Sequence, residues 1–344
     1  ICEGPANYMA NIYHAMPVSI TVEGANILTR SLIVFGQGAI RCHPYVLKEI
    51  AATREPDPER ASIEFDAALF GHLRFVLSNL ARTLVMGMTG SHFARAPDRV
   101  APETRRYYQQ LTRMATGFAF LADMCLLLLG AALKRRELLS ARLGDILCQM
   151  YLISAALKRY EDAGRPADDL PMLHWGVRDA FYRIQEAFFA VFGNLPQQGV
   201  AALLRLVVFP LGRLFRVPPD DIGRGVARTL IAPGPARERL TRGVYISKDE
   251  RDAVGALEAA LRAVIAAEPI EAKLHAATKA GAIAGGRFRD EQIEDALRAA
   301  IIDACEANAL RRADALRRKV IMVDDFPKDL GPSEIHQTTE AVTF

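Results

Sequence analysis

The sequence predicts an all-α protein. Apolar residues recur at threes and fours along almost every long segment. β-prone runs are few, and the stretches rich in proline and glycine fall between the periodic segments. The chain has 344 residues, 51% of them hydrophobic, enough for one large domain or two ordinary ones with a sizeable core.

Residues 26–40 form an apolar helical stretch, and 44–52 a second short piece closed by the linker-like run Thr53–Pro58. A helix is expected over 59–84 and a loop over 86–102. The longest patterns, 103–134 and 137–163, read as two helices separated only by Lys134-Arg135-Arg136. In the second, Leu139, Leu143, Ile146, Met150, Ile153 and Leu157 share one face, which requires a partner helix. A further helix covers 171–193, and another 197–215 with a kink at Pro210. Residues 217–246, with four prolines and four glycines, are expected to be mostly loop with one short helix. Three amphipathic helices are expected over 248–266, 270–280 and 290–318, the last breaking near Glu306. The polar tail after Pro327 is expected to be disordered, and no internal repeat occurs at a fixed period.

The apolar run Phe118–Leu133 contains Asp123 and falls short of the roughly 20 residues that span a bilayer. It reads as a buried helix in which Asp123 must be paired, with Arg142 or Lys158 as expected partners. A formal charge of +3, from 43 basic and 40 acidic side chains, is too balanced to argue for a nucleic-acid partner. The five cysteines are odd in number and include no C-x-x-C pair, so a disulfide framework is not expected and a reducing cytoplasm fits. The chain opens with Ile1 and shows no signal-peptide pattern, from which missing upstream sequence is expected.

No two of the seven histidines lie three or four apart, so no helix presents a two-histidine metal face and no metal site is expected. Gly36-Gln37-Gly38 and Gly281–Gly286 lack the Lys and Ser/Thr of a phosphate loop and read as packing or turn glycines. The basic runs at 134–136, 311–312 and 317–319 read as solvated helix faces.

Residues 15–30, AMPVSITVEGANILTR, are different. Pro17 fixes an entry, Val18–Val22 is a short apolar run and the only place a strand is expected, and a helix begins after Glu23-Gly24. Glu23 thus sits between extended backbone and a helix N-terminus, flanked by Ile20, Val22, Ile27 and Leu28. Poor solvation there would raise its pKa and the helix terminus would lower it, opposed effects that can tune a base. A helix-capping glutamate explains the same pattern.

Val22-Glu23-Gly24-Ala25-Asn26-Ile27-Leu28-Thr29-Arg30 resembles the acyl-CoA dehydrogenase segment that reads Glu-Gly-Thr, a few residues, then Arg. The stretch from Pro17 to Ala52 is similar to the large bacterial fatty acyl-CoA dehydrogenases. Gly130–Glu137, the adjoining SARLGDILCQMYLISAALKRY, Asp169-Leu170-Pro171, His174-Trp175-Gly176 and Val323-Asp324-Asp325-Phe326 resemble their bacterial-type C-terminal helical extension. The resemblance spans about 1–327. It implies the end of the catalytic helical domain at 1–50, the appended helical domain at 51–327 and a disordered tail at 328–344.

It also implies that Glu23 is the base removing the α-proton of a fatty acyl-CoA in β-oxidation, with Gly24 beside the thioester. Ala25, Asn26 and Ile27 would run along an FAD cofactor. Many family members carry Thr at the position of Ala25, whose hydroxyl meets the flavin, and Ala25 has none to offer. The implied partners are fatty acyl-CoA, an electron-transfer flavoprotein and further copies in a homo-oligomer. The expected location is cytoplasmic, extending to peripheral contact with the inner face of the plasma membrane. Most of the flavin pocket would come from domains before Ile1, so these 344 residues alone are not expected to hold FAD or turn over substrate. Another reading, from the site-poor extension, is a non-catalytic helical module for dimerisation or membrane-surface docking.

Overall fold

The computed structural model describes residues 9–22, 28–284 and 289–322, with side chains from residue 12 onward except 20–22. Among these residues there are thirteen α-helices and no strand. They begin with α1 (Met9–Val22), α2 (Gly38–Arg41), α3 (Val46–Ala52), α4 (Pro58–Met88), α5 (Pro102–Leu129), α6 (Glu137–Asp162) and α7 (Leu170–Phe192). The chain continues through α8 (Gln198–Val208), α9 (Asp220–Ile231), α10 (Pro235–Thr241), α11 (Ala253–Lys279), α12 (Arg289–Arg298) and α13 (Ala304–Ile321). A π-helical segment, Thr29–Gln37, runs directly into α2.

The described residues fall into two compact units, one within 20–237 and one made of those within 1–19 and 238–344. Compactness therefore places residues 28–50 in the same unit as 51–237. The expected tail, 328–344, lies outside the described residues.

In the 20–237 unit the core lies between α5, α6 and α7. Met114, Leu121 and Cys125 of α5, Leu143, Ile146, Ile153 and Leu157 of α6, and Val177, Phe181, Ile184 and Phe188 of α7 are all buried. The face expected on α6 is the one that meets its neighbours. Residues 102–135 are the one described helix long and apolar enough to cross a membrane by length and composition. Here its inward side supplies the centre of the core. α5 stops where Gly130 takes φ 51° and ψ −131°, a conformation that costs a residue with a Cβ roughly 1–3 kcal/mol.

Several boundaries differ from those expected, each for a local reason. Val18–Val22 is not extended, because α1 runs through to Val22 with Pro17 inside it. α4 begins at Pro58, capped by Asp57, whose side chain accepts from the Glu59 N–H at 3.1 Å, and continues to Met88. α8 does not kink at Pro210 but ends before it. Pro210 offers no N–H, and the ring disfavours helical backbone in Phe209 (φ −126°, ψ 62°). Beyond it the buried Gln185 side chain grips both the N–H and C=O of Phe215, each at 3.0 Å, so this loop is pinned to α7. Residues 217–246 hold two helices, α9 and α10, where one was expected.

The unit containing 238–344 has its own core. Ala267, Ile270 and Leu274 of α11 pack with Ile293 and Ala296 of α12 and Ala307, Leu310 and Ala313 of α13. α11 is one helix rather than the two expected, since it passes Pro269. The expected break near Glu306 falls earlier. Asp303 accepts from the Glu306 N–H at 2.8 Å and Glu306 reaches back to the Asp303 N–H, a reciprocal cap that starts α13 at Ala304.

Candidate functional site

Glu23, Gly24, Ala25, Asn26 and Ile27 lie outside the described residues. The chain is described again from Leu28. The π segment puts Ser31, Phe35 and Gly36 in the core, with Phe35 edge-on to Phe118 at 5.9 Å. Its close approach to α6 depends on Gly144, where an added Cβ would meet the Arg30 carbonyl at 3.1 Å. Beside that contact the Arg30 side chain grips Asp145 with two parallel bonds, Nε–Oδ1 at 2.7 Å and a second N–O contact at 2.5 Å. The first described turns after Ile27 are therefore held against α6, a central helix of the unit.

A cluster of ionisable side chains lies just beyond, built from three elements. His43 precedes α3, and its Nδ1 accepts the N–H groups of Tyr45 (3.2 Å) and Val46 (3.1 Å), capping that helix. With Nδ1 as acceptor, the ring proton is assigned to Nε2, which donates to Asp123 Oδ1 at 2.8 Å. His72 on α4 has Nδ1 at 2.7 Å from Glu49 of α3 and Nε2 at 3.5 Å from Asp123 Oδ1. Both ring nitrogens of His72 thus face carboxylates. Tyr45 stacks on His72 (5.8 Å, 8°) and Phe75 stands edge-on to His43.

Asp123 is thus buried and paired, as expected of a carboxylate inside this helix. Its partners are His43 and His72, not Arg142 or Lys158; Lys158 instead pairs with Asp162 on its own helix. The expectation drew on long cations from the neighbouring helix, whereas the chain brings two histidines from the opposite side.

Nitrogen or oxygen atoms of His43, His72 and Asp123 lie within 4.8 Å of one another, near enough for one metal ion. The tautomer argues against that use. A neutral histidine that ligates through Nε2 carries its proton on Nδ1, and in His43 two backbone N–H groups point there. The arrangement is a hydrogen-bonded tie between α3, α4 and α5. No spacing in the sequence signals it, because His43, His72 and Asp123 meet only through the packing of separate helices.

A second polar contact joins α5 and α7, where the Tyr107 hydroxyl lies 2.8 Å from His174 Nδ1. Burial, then the Arg178 charge, holds His174 below the usual histidine range, while Glu103 opposes them. The described cysteines are unpaired. Cys42, Cys148 and Cys305 are exposed, whereas burial pushes the Cys125 thiol up to about 12.

The family model described as acyl-CoA dehydrogenase, C-terminal, bacterial type matches residues 40–326. The chain belongs to this family. No solved structure matches it. The matched stretch of this acyl-CoA dehydrogenase region includes the whole His43–Asp123–His72–Glu49 tie, the core helices α5 and α6, and α13. It begins after Arg30, so the role of Glu23 rests on the resemblance of residues 22–30.

Proposed function

We propose that this chain carries the catalytic base of an acyl-CoA dehydrogenase that converts fatty acyl-CoA to trans-2-enoyl-CoA in β-oxidation. The observation behind the reading is the Val22–Arg30 segment standing immediately ahead of a family match over 40–326. FAD, when bound, supplies the acceptor for the hydride that leaves Cβ, and an electron-transfer flavoprotein takes the electrons onward. The remaining work falls to residues of this chain. The Glu23 carboxylate takes the proton from Cα, and its electron pair forms the new Cα–Cβ double bond as the hydride departs. Gly24 leaves room for the thioester beside the base. Ala25, Asn26 and Ile27 run along the flavin. The tether behind them suits that task, since Arg30–Asp145 and the Gly144 contact hold the outgoing backbone, and general-base chemistry depends on position.

The test is Glu23→Gln in the complete enzyme, mixed anaerobically with a good acyl-CoA while flavin colour is followed. The amide is nearly isosteric but cannot accept the proton, so flavin content should persist while bleaching slows by about 10²–10⁴-fold. Bleaching at the wild-type rate would show Glu23 to be a structural residue.

A further inference from the structure

α4 has two faces. Ala68, Asn79, Thr83 and Met86 turn into its own unit. The opposite side carries Ile63, Ala67, Phe70, Arg74, Leu77, Ala81, Leu84 and Met88, all exposed. Ile63 is 70% exposed, Phe70 65%, Leu77 55% and Met88 58%, a density of bare large side chains well beyond scattered surface apolars. Their spacing alternates strictly between four and three. That is the a/d seam of a coiled coil, so the surface that fits it is another helix of similar length, about 38 Å at 1.5 Å per residue.

We propose that this seam pairs with the same seam of a second copy of the chain, antiparallel about a two-fold axis. Two features identify the occupant. The first is size. Setting Ile63 against the partner's Met88 places Ala67 opposite the partner's Leu84 and Phe70 opposite the partner's Ala81. Large then meets small in successive layers, and the two-fold repeats each layer. Arg74 falls opposite the partner's Leu77, where its stem can lie on the seam with the guanidinium outside, and one polar residue in such a seam favours a single register.

The second is charge. Residues 55–66 carry Glu55, Asp57, Glu59, Glu64 and Asp66 against one cation, Arg60. Residues 67–97 carry Arg74, Arg82 and Arg95 and no carboxylate. A groove of about 530 Å³ beside the C-terminal half of the seam is lined by Arg82, Val85, Phe93 and Arg95. Antiparallel pairing lays the acidic end of one copy over the basic end of the other, whereas parallel pairing sets like against like. The acidic half also disfavours an anionic lipid surface as the occupant. The pairing is independent of the chemistry at Glu23.

The experiment is sedimentation of the full 344-residue chain at micromolar concentration, with helix content checked by circular dichroism. Wild type should sediment as a dimer. Phe70→Lys and Ala81→Glu, both at exposed positions, should each keep the fold and lower the mass by a factor of about two, to the monomer. The double variant Phe70→Lys/Ala81→Glu should restore the dimer, because antiparallel pairing sets each Lys against the partner's Glu. A monomeric wild type would overturn the proposal and leave the seam to another protein or a membrane. A dimer indifferent to either single change, or a double variant that stays monomeric, would overturn it as well.

Discussion

At the scale of single residues, Asp123 shows how a buried charge is made tolerable. It is 4% exposed, and Oδ1 receives the His43 Nε2–H while Oδ2 has no hydrogen-bond partner. Buried ion pairs are often replaceable by apolar groups without loss, so burial alone does not establish a stabilising role. The geometry does, since His43 is already committed to the cap of α3 and its Nε2–H has nowhere else to go. Asp123→Leu should destabilise by about 1–3 kcal/mol, the cost of a buried donor left unpaired. Asp123→Asn should cost less, because the amide oxygen still accepts from His43. Urea unfolding of the three proteins measures this, and a leucine variant as stable as wild type would show the tie to be dispensable. That Asp123 must be paired was legible in its apolar setting. Its partners were not, because the expected cations are chemically reasonable and only the placement of α3 and α4 rejects them.

At the scale of elements, helix ends decide the architecture. The start of α5 is held from another helix. Glu161, in the last turn of α6, accepts from the Ala101 N–H at 3.0 Å and pairs with Arg165 at 2.6 Å. Burial alone would raise the Glu161 carboxyl, but the Ala101 N–H and Arg165 outweigh it and hold it below the ordinary glutamate range. A carboxyl depressed in the folded state adds stability that is present above its unfolded pKa and lost as the pH falls through the folded value. Glu161→Gln should therefore lower the urea midpoint at pH 7 and do so progressively less at acid pH, as the folded carboxyl, held below the ordinary glutamate range, takes up its proton. An equal gap at both pH values would mean the carboxylate charge plays no part. Termini marked by a strong local signal, such as Asp57-Pro58, obey the chain's own chemistry. The passage of α11 through Pro269 had no such signal, since contacts along the rest of a 27-residue helix outweigh one lost backbone bond.

At the scale of the whole molecule there are two separate apolar cores, one in each compact unit. Leu310 is fully buried in the core of the unit containing 238–344. Leu310→Ala should destabilise that core by about 2–5 kcal/mol. Hydrogen exchange should then rise in α11, α12 and α13 while α5, α6 and α7 keep their protection, and loss spread equally over both groups would show one cooperative unit. The sequence by itself determined the helical class, the inward face of α6, the burial of Asp123 and the family, because each is written in local spacing or in residues adjacent along the chain. Tertiary structure alone decided that His43, Glu49, His72 and Asp123 meet, that the Arg30 backbone rests on Gly144, and that the a/d seam of α4 faces outward while the opposite side packs inward. Periodicity names the faces of a helix, but which face is left to solvent depends on what the remaining helices cover.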